Sequence, residues 1–213
     1  MSNILYDDQV KYLTLFRNES ELLTKEMEVY AAKNKIPILD WMSAEFLEQL
    51  ITISKPKNVL EIGTAIGYSS IRIASKLRKK GSLDTIEKSK NNIKLAQEYI
   101  RRAKLTSSIN ILEGDALEIM PRMDKKYDLI FLDADKEDYE KLFYYSLMLL
   151  KKGGVLFVDN LLWHGYVAAN SVPDSFKKST KFIREFNKMF MNSTELQSTI
   201  LSIGDGIGLG VKL

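Results

Sequence analysis

The 213-residue sequence contains no cysteine and a single histidine, His164. Without cysteine there is no disulfide framework and no thiol nucleophile, and one histidine cannot complete a zinc cluster or a cysteine-protease pair. No G-x-S-x-G elbow occurs, which removes the hydrolases built on that strained serine turn. No apolar run approaches the roughly 20 residues needed to cross a bilayer. Internal repeats, low-complexity tracts and glycine-serine linkers are absent as well. Neither sign of charge dominates: 31 basic against 28 acidic residues leave a net +3, which permits an anionic partner without requiring one. Met1 to Val10 is polar and acidic, without the basic-then-apolar order of a signal peptide, so the expected location is cytoplasmic.

What remains is an ordinary globular composition, 45% hydrophobic and 28% charged, in a chain the size of one domain. Residues 19–34 place Leu22, Leu23, Met27 and Tyr30 at helical spacing, and the Ile36-Pro37 step interrupts them. A second helix is expected after Asp40 as N-cap, burying Phe46, Leu47, Leu50 and Ile51 before Lys55-Pro56 ends it. From Asn58 the pattern changes to short apolar runs, each followed by a helical segment. Residues 59–62, 83–86, 109–112, 128–132 and 155–158 read as five parallel strands buried on both faces. A helix over 137–150 should exit through Lys151, Lys152 and a left-handed Gly153. Residues 199–203 and 207–212 flank Gly204-Asp205-Gly206 as an antiparallel hairpin. The expected fold is α/β: a doubly wound, seven-stranded, mostly parallel sheet with N-terminal helices and a C-terminal antiparallel hairpin.

The turn after the first strand reads VLEIGTAIGYS, with Glu61, Gly63 and Gly67 where a ligand can approach the backbone. A dinucleotide turn places a pyrophosphate at its helix N-terminus, and Glu61 would repel that phosphate. A ligand carrying an ammonium and a sulfonium suits the acid better, which points to S-adenosylmethionine; the alternative is that the glycines only allow tight packing. Glu87 ends the second strand about twenty residues on, where a carboxylate accepts hydrogen bonds from ribose hydroxyls, a spacing shared with NAD enzymes. Asp115 and Ala116, after the third strand, are candidates for the adenine. The fourth and fifth strands end in Asp133 (FLDADK) and Asp159-Asn160 (FVDN). Two carboxylates and an amide at neighbouring strand ends match the oxygen ligands of a hard cation such as Mg2+. Lys136 reaches the same region as a general base or as a partner for an ionised substrate oxygen, and a lysine opening a helix is otherwise unfavourable. His164 reads as an ordinary loop residue near the mouth.

Within 174–191, Lys177, Lys181, Arg184 and Lys188 recur on one helical face, with Phe182, Phe186 and Phe190 opposite. The phenylalanines belong to the core. The cations form either a solvated face or a sequence-independent grip on an RNA backbone.

Taken together, E-x-G-x-x-x-G-Y-S, Glu87, FLDADK and VDN resemble the cation-dependent O-methyltransferases of the catechol and caffeoyl-CoA type across nearly the whole chain. YAAKNKIPILD, LEIGTAIGYS and the late GDG are similar to the bacterial tRNA 5-hydroxyuridine methyltransferases. The resemblance implies a class I methyltransferase, Rossmann-like domain over 1–213, with 1–55 as a helical cover and 56–213 as the cofactor-binding and catalytic core. It further implies Mg2+ on Asp133, Asp159 and Asn160, cofactor contacts from Leu39, Ser69, Glu87, Asp115, Ala116 and Asp133, a catalytic Lys136, and a homodimer. Its substrate is then the tRNA anticodon loop, or a small catechol-like molecule. 5-Hydroxyuracil and catechol share a vicinal oxygen pair able to chelate Mg2+, and an anticodon base is already unpaired. A third reading, from a different class, is a non-enzymatic adenosine-nucleotide sensor.

Overall fold

The computed structural model describes residues 6–17 and 22–213, so the first part of the expected 19–34 helix, residues 19–21, and residues 1–5 lie outside the described residues. Helices α1 (Asp7–Thr14), α2 (Leu22–Asn34) and α3 (Trp41–Ser54) precede the sheet. Asp40 caps α3 by accepting a hydrogen bond from Met42 N at 2.9 Å, and a left-handed Lys55 before Pro56 ends it, as the sequence predicts. In α2 the buried side chains are Thr24, Met27 and Ala31. Leu22, expected on the apolar face, is instead 88% exposed, because that face centres on Met27 and Ala31. The polar α1 was not foreseen, and it buries no side chain.

The strands are β1 (Asn58–Ile62), β2 (Ser82–Glu87), β3 (Ile109–Glu113), β4 (Tyr127–Leu132), β5 (Leu150–Val158), β6 (Leu196–Leu201) and β7 (Ile207–Lys212). They form a seven-stranded sheet among the described residues, in the order β3-β2-β1-β4-β5-β7-β6. The first five are parallel; β7 enters between β5 and β6, antiparallel to both. Crossover helices α4 (Tyr68–Lys76), α5 (Lys90–Arg102), α6 (Ala116–Ile119), α7 (Tyr139–Leu149) and α8 (Asp174–Met191) cover both faces. One core layer gathers Val59, Phe131 and Phe157 with Leu47, Ile71 and Ala96. The other gathers Leu60, Ile130 and Val158 with Tyr139, Phe143, Phe186 and Phe190. Burial on both faces is why β1, β2, β4 and the end of β5 read as apolar runs; β3, expected to be buried in the same way, lies at the sheet edge and buries only Ile109.

Two local expectations change. The strand after α7 starts at Leu150 rather than Val155, and Gly153, read as a helix cap, sits inside β5 with φ +73°. The β4–β5 register jumps from Tyr127↔Leu150 to Leu129↔Val155, and Lys151 reaches Asp128 Oδ1 at 2.6 Å, so the lysine serves a bulge rather than the helix end. On α8, Phe186 and Phe190 are buried but Phe182 is only partly so; Ile183 takes the core position.

The parallel ladder continues past the strand ends. Gly63 N donates to Ile86 O, Asp133 N to Ile62 O and Asp159 N to Leu132 O, at 3.0–3.1 Å. Gly63 adopts φ +102°, and an added Cβ there would lie 1.9 Å from the Asp133 carbonyl oxygen. Gly63→Ala should therefore destabilise the fold by about 2–4 kcal/mol, from backbone strain plus overpacking. Denaturant unfolding measures this, and an unchanged midpoint would contradict it.

Candidate active site

A cavity of about 880 Å³ opens at the carboxyl ends of β1, β2, β4 and β5. Residues 36–41 between α2 and α3, Leu39 among them, line one wall. Gly63, Glu87, Asp115, Ala116, Asp133, Lys136, Asp159 and Asn160 all face the space, so the fold brings most of the expected site together. The glycine turn and strand end are joined by Glu87, whose Oε2 accepts from Ala65 N at 2.9 Å and Oε1 from Ser89 N at 2.8 Å. Asp115 caps α6, accepting from Leu117 N at 2.8 Å.

Glu61, Gly67 and Ser69 sit elsewhere. None of the three is among the cavity-lining residues. Glu61 is fully buried, and its carboxylate accepts hydrogen bonds from Ser69, Ser70 and Thr85 hydroxyls. These bonds make Glu61 a clasp that ties α4 to β1 and β2 beneath the loop. Gly67 lets α4 approach α5: a Cβ would meet Ala96 Cβ at 3.3 Å. For Gly67, the packing alternative describes what the structure shows.

At the other end, Lys136 Nζ donates to Tyr139 Oη (2.6 Å), Asn160 Oδ1 (2.7 Å), Ala134 O (3.1 Å) and Asp133 Oδ1 (3.2 Å). Tyr139 Oη in turn donates to the Asp159 carbonyl at 3.1 Å. Burial opposes the lysine charge, yet the Tyr139 oxygen and the Asp133 carboxylate overcome it and hold Lys136 above the usual lysine range. In this arrangement the ammonium is placed to stabilise negative charge on a nearby oxygen.

Asp159 is 4% exposed, and its Oδ1 is buried without a hydrogen-bond partner. Burial, then the Asp133 charge, pushes its carboxyl well above the ordinary range. A buried carboxylate oxygen left without a donor is costly. No trio of His, Cys, Asp or Glu side chains is gathered to hold an ion among the described residues. Asp133, Asp159 and Asn160 offer two carboxylates and an amide, of which Asp133 and Asn160 already accept from one cationic Nζ, and this oxygen set fits a hard divalent cation.

Sequence reasoning missed Asp205, Trp163 and Tyr139, and read His164 only as a loop residue near the mouth. Asp205, read only as part of a turn, lines the cavity, accepts from Asn160 Nδ2 (3.4 Å) and His164 N (2.6 Å), and is raised by burial. Trp163 and His164, ring centroids 5.2 Å apart, line the mouth, with Phe176 5.6 Å from His164. Tyr139 carries the lysine relay; its place three residues after Lys136 was the available signal. The α8 cations are exposed as expected, but Lys177 pairs with Asp174 (2.6 Å), Lys181 lies 3.9 Å from Glu185, and Arg184 is turned onto backbone carbonyls. None of the four lines the cavity. No described helix is long and apolar enough to cross a membrane.

The O-methyltransferase family model matches residues 14–213. A catechol O-methyltransferase from Niastella koreensis is 36% identical over 172 residues, covering 79% of this chain and 74% of that protein. A Staphylococcus aureus protein provisionally named a caffeoyl-CoA O-methyltransferase superposes with a TM-score of 0.91 at 31% identity, covering 97% and 100% of the two chains. A Bacillus cereus O-methyltransferase solved in complex with SAH gives a TM-score of 0.84 at 27% identity, covering 95% and 96%.

The buried Glu61 makes a pH prediction. Burial raises its carboxyl from 4.5 to about 7, so the folded state binds the proton more tightly than the unfolded chain. The stabilisation is complete below the unfolded value and is lost as pH rises through about 7. In chelator, stability should fall between about pH 5 and about pH 8, and Glu61→Gln should remove about 1–3 kcal/mol of that fall. An equal slope in both proteins by thermal unfolding would contradict it.

Proposed function

The chain belongs to the O-methyltransferase family, and from that premise we propose that it methylates one hydroxyl of a small vicinal-diol aromatic, a catechol or caffeoyl-thioester type of acceptor. Its proposed methyl donor is S-adenosylmethionine, and its proposed cation is Mg2+ on Asp133, Asp159 and Asn160. The carrying observation is the buried, unpartnered Asp159 Oδ1 beside Asp133 and Asn160. When bound, the donor supplies an electrophilic methyl on a sulfonium, and the cation lowers the cost of ionising the acceptor hydroxyl. The chain's own residues bind and orient. Glu87 presents its carboxylate to the ribose, Asp115 and Ala116 border the adenine, and Leu39 with its neighbours excludes water above the cavity. Lys136 retains its proton and stabilises negative charge on the acceptor oxygen. Trp163 and His164 form an aromatic border on the acceptor side. Most of the rate enhancement then comes from positioning and charge, with no covalent enzyme intermediate.

A second reading, methylation of 5-hydroxyuridine at the tRNA wobble position, draws on the exposed Lys177, Lys181 and Lys188 along α8. It ranks below the first because Lys177 and Lys181 have acidic neighbours on their own helix, and because the matched relatives carry catechol and caffeoyl-CoA names. A homodimer follows from the family resemblance.

With labelled donor and Mg2+, the wild-type protein should methylate catechol, chelator should stop the reaction, and Asp159→Ala should lower the rate about 100-fold or more. Full activity in Asp159→Ala would remove the cation assignment. Labelled 5-hydroxyuridine tRNA beside unlabelled catechol would reverse the order of the two readings.

A further inference from the structure

The segment from Asn160 to Ala169 leaves the end of β5 and runs along the acceptor side of the cavity. Three of its non-glycine residues hold left-handed backbone angles: Asn160 at φ +64°, Trp163 at +45° and His164 at +56°. L side chains disfavour this region, and such residues persist only where their surroundings fix them. The fixing comes from two sides. On the hairpin side, Leu161 N donates to Gly206 O (2.8 Å), Leu162 N to Asp205 O (2.9 Å) and His164 N to Asp205 Oδ1 (2.6 Å). On the α8 side, Asn187 Nδ2 donates to Leu161 O at 2.8 Å. One turn earlier on α8, Arg184 donates from Nε to Val167 O (2.9 Å) and from Nη2 to Tyr166 O (3.0 Å) and Ala169 O (2.7 Å).

These three carbonyls end a series of tight turns, in which Gly165, Tyr166, Ala168 and Ala169 each donate to the residue three before. The Tyr166 carbonyl also accepts from Ala169 N, so Arg184 adds a second donor there and supplies the Val167 and Ala169 carbonyls as well. A guanidinium matches them because its donors are fixed in a plane, whereas an ammonium offers a single point charge. Arg184 stands on a helix that Ile183, Phe186 and Phe190 anchor in the core, so its reach is set by rigid packing. The residues it steadies lead directly back to Trp163 and His164, which line the cavity, and the Trp163 ring centroid lies 5.6 Å from Lys136 Nζ.

We propose that Arg184 is a positioning residue for the acceptor: its guanidinium locks the Tyr166–Ala169 turn and thereby holds Trp163 and His164 in their left-handed poses as the acceptor wall. This rests on the small-aromatic reading above. The arginine is thus not equivalent to Lys177, Lys181 and Lys188, the other members of its helical stripe.

Arg184→Ala and Arg184→Lys, with Lys181→Ala and Lys188→Ala as controls, test it in the full-length chain. Arg184→Ala should raise the catechol KM about tenfold with a smaller change in kcat, as expected when an alignment is loosened away from the chemistry. Binding of S-adenosylmethionine by calorimetry should be unchanged, Arg184→Lys should recover part of the loss, and the two controls should match wild type at low and high salt. An unchanged KM in Arg184→Ala, or an equal weakening of donor binding, overturns the proposal. So does a salt-dependent loss shared by all three alanine variants, which would give the helix a phosphate-binding role instead. Hydrogen exchange reads the clamp without any acceptor: the amides of Gly165, Tyr166, Ala168 and Ala169 should exchange faster in Arg184→Ala than in wild type. Wild-type protein inactive on catechol but showing that contrast would sink the substrate reading alone; no contrast in exchange sinks the clamp.

Discussion

Lys136 places one ammonium among the ends of two neighbouring strands and the start of a helix. Its Nζ donates to Asp133 after β4, to Asn160 after β5 and to Tyr139 at the head of α7, and Tyr139 passes the connection on to the Asp159 carbonyl. Of the carboxylates that line the cavity, Asp133, Asp159 and Asp205 act on one another at this end of it. A single lysine does not balance them, and the deficit falls on Asp159, the most enclosed of the three. The divalent cation proposed for the same oxygens would close that deficit and leave Lys136 free to act on an acceptor. The positive charge of the site and its chemistry are therefore one requirement.

The sheet makes this juxtaposition possible. Parallel β1, β4 and β5 end in register, and the ladder runs one residue beyond each of β4 and β5 to fix the backbones of Asp133 and Asp159. Gly63 lets the first turn lie directly against the Asp133 carbonyl. Beneath that turn, Glu61 gathers three hydroxyls from β2 and α4, at the cost of burying a carboxylate. The antiparallel β6–β7 pair then delivers Asp205 beside Asn160, so even the far edge of the sheet contributes to the strand-end cluster.

Strands β1, β2, β4 and β5 were legible because residues buried on both faces leave apolar runs, whereas edge strand β3 buries only Ile109 and was legible from its Ile109, Ile111 and Leu112 alone. The strand-end acids were legible because polar groups directly after such runs have few places to go but the carboxyl edge. Helix α1 was not, since its few apolar residues, Val10, Tyr12 and Leu13, bury nothing against the rest of the fold. Gly153 reads as a cap from local spacing, and only the pairing of Lys151 with Asp128 shows that a bulge claims it. Glu61 was legible as an acid of the glycine motif, but its hydroxyl partners Ser69, Ser70 and Thr85 were not, because a motif does not say which side of a loop a side chain takes. Asp205 lies 45 residues from Asn160, and no local pattern joins them. The α8 stripe was visible as a face, but that Arg184 turns onto the Tyr166–Ala169 carbonyls is a tertiary fact.

Titration of the metal-free protein with Mn2+, followed by loss of the free-ion EPR signal, reads the strand-end oxygen set without donor or acceptor present. One ion bound per chain, displaced by Mg2+ and lost in Asp159→Asn, is the predicted result. Wild-type protein that leaves the free-ion signal untouched, or Asp159→Asn that binds as wild type does, would contradict it.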